Sequence, residues 1–235
     1  EPYYKSYKGD ALYRGYPSVS RDDLFKQVAG LHRQKIQYAI HVNGDASVDD
    51  ALDAIEAAQR LQPWPEVRPL FIHAQMSRYD QIQRMATLGI TPSFFSSHTY
   101  YWGDRHAAIF MGPERAANMS PARWALNAGV RYSSHADTPV TPMLPLQVVW
   151  SQVNRITTGG EVLGQHQRVS PVEALRAHTI DAAWQVFMDK EIGSLEPGKL
   201  ADMGVLSGSP LESSDIRELV VEQTFIGGAE VYSRR

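Results

Sequence analysis

The chain contains no cysteine. That excludes disulfides, thiolate metal sites and a cysteine nucleophile, and it leaves the redox compartment open. No apolar run reaches the length of a membrane span. No basic run is interleaved with aromatics, and a net charge of −3 gives neither nucleic acid nor an anionic membrane a reason to bind. No glycine-rich phosphate fingerprint, internal repeat or low-complexity tract is visible. The opening "EPYYKSYKGD" has neither a methionine nor a signal-like segment, so a processed or truncated product and a cytoplasmic location are expected. What is present is ordinary for a folded protein. The 235 residues are 43% hydrophobic and 21% charged, enough to bury the core of one large domain or slightly more.

Short apolar runs alternate with helical periodicities. Ser20 is a candidate N-cap for "RDDLFKQVAGLHRQK", with Asp23 three residues on. "IQYAIH" reads as a strand, "ASVDDALDAIEAAQRL" as a helix and "LFIHA" as the next strand. "SRYDQIQRMATLG" reads as a helix closed by Gly89, and "ITPSFF" as a strand. A longer segment, "SSHTYYWGDRHAAIFMGPERAANMS", interrupts the rhythm before the helix "PARWALNAG" and the strand "VRYSSH". Two helical stretches follow, and "LVVEQTFIGGAEVYS" then carries a Gly-Gly hairpin signal. Strands alternating with helices predict βα units on a parallel sheet. A closed barrel and an open doubly wound sheet are the rival forms.

In either form the strand C-termini carry the chemistry, and three candidates sit there: His41, His73 and Asp137. Imidazole and carboxylate groups suit zinc or a similar divalent ion. Converging on one would require adjacent or curled strands. A single histidine at a strand end is equally readable as a hydrogen-bonded structural residue, and spacing alone does not choose. Asp45 precedes a helix and reads as an N-cap. His98, Tyr100 and Trp102 lie in the long segment and are candidate walls of a substrate site, or a packed aromatic loop. His135 lies two residues before Asp137 and shares its side if the strand stays extended. His178 reads as core-facing, and His32, His106 and His166 as surface residues.

Several pieces together resemble the second half of the amidohydrolase superfamily, in the branch that includes N-substituted formamide deformylases. They are "YAIHVNGDASVDDALDA", "FIHAQ", "PSFFSSHTYYWGDRH", "GPERAANMSPARWALNAGVRYSSHADTPVTPMLPL", "SPVEALRAHTIDAAWQVF" and "GSLEPGKLADMGVL". The resemblance implies the second half of a TIM (β/α)8 barrel over 1–190. It also implies the C-terminal part of a small β-sandwich over 191–235. His41, His73 and Asp137 would be ligands of a divalent metal, zinc by preference, with Asp137 also moving the proton. His98 would border a small amide substrate, and Tyr100, Trp102 and His135, candidates from their positions, are expected to line the same pocket. The "GSLEPGKLAD" turn would mark the exit from the barrel.

The family also carries an H-x-H pair on strand 1 and a ligand near strand 4. No H-x-H occurs in this chain, and the opening residues resemble the connection leading to strand 5. The expected partner is therefore the N-terminal half of the same protein, with homo-oligomer formation left open. Two other readings are kept: a non-catalytic fragment that completes a barrel, and a deaminase or cyclic amidase sharing the same machinery.

Overall fold

A computed structural model describes residues 13–235. The stretch read as the approach to strand 5 lies outside the described residues. Arg21–Arg33 forms α1, and Ser20 caps it by accepting from the backbone N–H of Asp23 at 3.2 Å, as its sequence position requires. Then follow β1 (Ala39–Val42), α2 (Asp45–Leu61), β2 (Leu70–His73), α3 (Tyr79–Leu88) and β3 (Thr91–Phe94). The interrupting segment is helical rather than looped: α4 (His98–Arg105), a π-helical turn at His106–Phe110, and α5 (Pro113–Ala117). Next come α6 (Ala122–Asn127), β4 (Ser133–Ser134), α7 (Pro145–Asn154), α8 (Pro171–His178) and α9 (Ile180–Gln185). Strands β5 (Met203–Leu206), β6 (Val221–Ile226) and β7 (Ala229–Ser233) close the chain.

The first four strands are all parallel and lie in the order β1-β2-β3-β4. Each strand pairs with the next one in the chain, so the order never reverses. A doubly wound sheet needs such a reversal, and the singly wound order is that of part of a (β/α)8 barrel. The remaining three strands form a separate antiparallel sheet. Its β6–β7 turn is the Gly227-Gly228 pair, both at positive φ, as a two-residue hairpin demands.

The core lies between the parallel sheet and its helices. Val48, Ala51, Leu52, Ile55 and Ala58 form the buried stripe of α2, at the spacing of one helical face. They pack in one cluster with Phe71 of β2, Phe94 of β3, and Ile82 and Met85 of α3. Three readings from the sequence change. Gly44 occupies the N-cap of α2, so Asp45 is its first helical residue and accepts from the N–H of Ala46. His32 is buried, because its ring bonds the Tyr38 hydroxyl and the Gln62 carbonyl (2.8 Å), which satisfy both nitrogens. His106 is drawn inward because the segment carrying it winds into a helix.

Candidate metal centre

Strand geometry alone would not bring His41 and His73 together. In the parallel register His41 pairs with Ile72, and Val42 pairs with His73. Laterally paired residues share a face and successive residues alternate, so a regular pleat sends the two imidazoles to opposite faces. The backbone of His73 leaves that pleat. Its φ is +70°, and Ala74 follows at +46°. Their rings therefore meet edge to face, with centroids 4.5 Å apart. Asp137 also has a left-handed backbone, φ +55°. Non-glycine residues held there cost of order 1 kcal/mol or more, and such positions concentrate at functional sites.

The structure gathers His73, His135 and Asp137 into one donor set, whose ligand atoms all lie within 4.8 Å of one another. His41 lies outside that set and adjoins it through His73. His135, expected at the substrate, instead points Nε2 at His73 Nδ1, 3.2 Å away. Its Nδ1 lies 2.9 Å from Ser93 Oγ, which also accepts from Ser133 Oγ. If Nδ1–H donates to Ser93, the Nε2 lone pair faces the cluster, the tautomer a metal-binding histidine needs. Burial pushes the His135 imidazole down to about 4, helped by the neighbouring His73 and opposed by Asp137. It is therefore neutral at physiological pH. Two imidazoles and one carboxylate, converging at this range, fit a divalent cation of the zinc class.

The other expected site residues separate into two groups. His98 and Trp102 are four residues apart on α4, so they share a face, with centroids at 4.8 Å. Phe95 links them to the cluster: its centroid is 4.4 Å from His98, 5.9 Å from His73 and 5.5 Å from His135. Tyr100, two residues on from His98, falls on the opposite side of the helix. It packs edge-on against Trp150 of α7, at 5.6 Å, and joins the main core. Burial also pushes His98 down to about 3, with smaller contributions from His106, His73 and His135. Ser93, Phe95 and Gln75 were not singled out in the sequence, and His106 was read there as a surface residue. Only Gln75, two residues past a strand-end histidine, carried a local signal.

The sequence profile of the amidohydrolase family matches residues 1–232. The chain is 34% identical over 201 residues to an N-substituted formamide deformylase of Arthrobacter pascens, covering 85% of this chain and 37% of that protein. It is 30% identical to Protein LONG AFTER FAR-RED 3 of Arabidopsis thaliana, covering 98% of this chain and 40% of that protein. Among solved structures, an uncharacterised metal-dependent hydrolase of Pyrococcus horikoshii superposes with a TM-score of 0.77 at 25% identity, over 90% of this chain and 42% of that one. The chain thus spans about two fifths of the length of the relatives it matches, and corresponds to their C-terminal part.

Proposed function

The chain belongs to the amidohydrolase family, and from that premise we propose that it carries half of the active site of a metal-dependent hydrolase of amide C–N bonds. The observation that carries this reading is the donor set of His73, His135 and Asp137, at the C-terminal ends of β2 and β4 of one parallel sheet, with β3 between them. These three residues would hold the ion, with His41 beside His73 as a further candidate ligand. When bound, a divalent ion of this kind acidifies a water and polarises a carbonyl. Asp137 is the group placed to accept a proton and return it to the leaving amine. His135, held by Ser93, stays neutral and keeps its lone pair turned inward. His98 and Trp102, behind Phe95, offer an aromatic wall for a substituent on the amide nitrogen.

An N-substituted formamide is the proposed substrate class, supported by the identity to the Arthrobacter deformylase. Zinc is the proposed ion, and the division near residue 190 into barrel and sandwich parts belongs to the same reading. The test uses the full-length protein, metal-depleted and then reloaded with zinc. It is offered a panel of N-substituted formamides, simple amides and cyclic amides. Hydrolysis of the formamides should require zinc and should fall at least a hundredfold in His73→Ala and Asp137→Asn, in the range expected when a metal or proton-transfer group is lost. Turnover that ignores the chelator and survives His73→Ala overturns the reading. Preference for the cyclic amides would move the substrate class while keeping the machinery.

A further inference from the structure

Gln75 leaves β2 two residues after His73 and is only 5% exposed. Its amide Nε2 lies 2.5 Å from His98 Nδ1, 3.3 Å from His106 Nε2 and 3.8 Å from Met119 Sδ. A thioether sulfur accepts hydrogen bonds and never donates. An NH2 end turned towards Met119 satisfies that sulfur, whereas a carbonyl oxygen there would face a second lone pair. With NH2 in this place, Gln75 donates to His98 Nδ1, and that nitrogen must be unprotonated. A neutral imidazole carries one proton, so the proton of His98 sits on Nε2. Burial keeps the ring neutral. Among the described residues no hydrogen bond engages His98 Nε2, although the ring is held on its other sides by Phe95 and Trp102. His98 itself is only partly buried.

We propose that Gln75 is a positioning residue: its buried amide locks His98 as the Nε2–H tautomer, so that His98 presents one N–H donor to a carbonyl-bearing ligand beside the donor cluster. A carbonyl oxygen only accepts, so the other tautomer of His98 would meet it lone pair to lone pair. Gln75 thereby sets specificity for a carbonyl at this position without touching it. The ligand class rests on the hydrolase reading, whereas the tautomer does not.

The full-length protein, labelled with 15N in its histidine rings, reports both parts through two-bond 1H–15N spectra, with His98 assigned from His98→Gln. The wild type should show a protonated Nε2 and a bare Nδ1 at His98. In Gln75→Glu the carboxylate can only accept, so the pattern should invert. In Gln75→Met, which removes the donor while keeping the length, both tautomers should be populated, and this variant serves if the buried charge prevents folding. N-methylformamide should shift the His98 Nε2–H signal in the wild type and leave Gln75→Glu unmoved. A protonated Nδ1 in the wild type overturns the proposal. So does an unchanged Nε2–H tautomer in both Gln75 variants, or an Nε2–H signal indifferent to N-methylformamide. An expected tautomer and N-methylformamide response in a protein without amide turnover supports this proposal and removes only the hydrolase reading.

Discussion

The His178 ring is half-buried beside Gln152 of α7, with the two nitrogens 3.2 Å apart. Burial pushes it from 6.5 down to about 4. The unfolded chain therefore takes up this proton first as pH falls. The stability from keeping the ring neutral is complete above about 6.5 and is lost as pH falls towards 4, at no more than ~1.4 kcal/mol per pH unit. Glu173 works in a lower window. The bidentate hydrogen bonds from Arg123 hold it at about 2, against an ordinary 4.5, so its contribution is full above 4.5 and disappears only as pH falls through 2. Urea midpoints measured from pH 7 down to pH 4 should decline steadily, and His178→Gln should flatten that decline. A midpoint constant over this range would refute the assignment. Of the residues that make up the cluster, His73 and Asp137 were legible from their places after apolar runs. His135 was legible only as a neighbour of Asp137, because its role depends on Ser93 of another strand.

Among the connecting elements, two glycines at positive φ make a controlled pair. Gly89 closes α3 at φ +67°, and an added Cβ would meet nothing within 4 Å. Only the left-handed backbone is then strained, so Gly89→Ala should cost about 1–2 kcal/mol. Gly164 has a similar φ, +72°, but a Cβ there would lie 1.8 Å from the carbonyl oxygen of Ala117 at the end of α5. That end is also held by the fully buried Arg155, which donates to the carbonyls of Ala117, Met119 and Leu163. Burial lowers this guanidinium to about 9, with Arg168 contributing. Gly164→Ala must displace backbone, so its thermal midpoint should fall several degrees further than that of Gly89→Ala. Equal midpoints would contradict the packing described. The helices α1, α2 and α3 were readable from their periodicity. Helix α4 was not, since its Tyr-Tyr-Trp-Gly composition carries little helix preference and docking against α7 outweighs it.

The whole molecule divides its burial unevenly. Strand β3 is buried at every position, whereas all five side chains of β7 are exposed. Strand β1 pairs on one edge with β2, and its other side borders an open recess of about 260 Å³ that also touches α1. Amide hydrogen exchange should therefore be slowest in β2 and β3 and markedly faster in β6 and β7, because opening of the smaller sheet exposes little apolar surface. Exchange at one common rate in both sheets would show a single cooperative unit instead. No helix among the described residues is long and apolar enough to cross a membrane, as the absence of long apolar runs required.

The residue order by itself determined the alternation of strands and helices, and hence the parallel sheet, because hydrophobic period and turn chemistry are local properties of the chain. It also marked the strand ends where histidine and aspartate stand. Which of those groups meet was decided only by the tertiary structure. The register offsets His41 from His73 by one residue, and a left-handed backbone at His73 turns its ring back against that offset. His135 joins the cluster through a serine on the neighbouring strand. These are relations between distant segments, set by packing, and no period in the sequence encodes them.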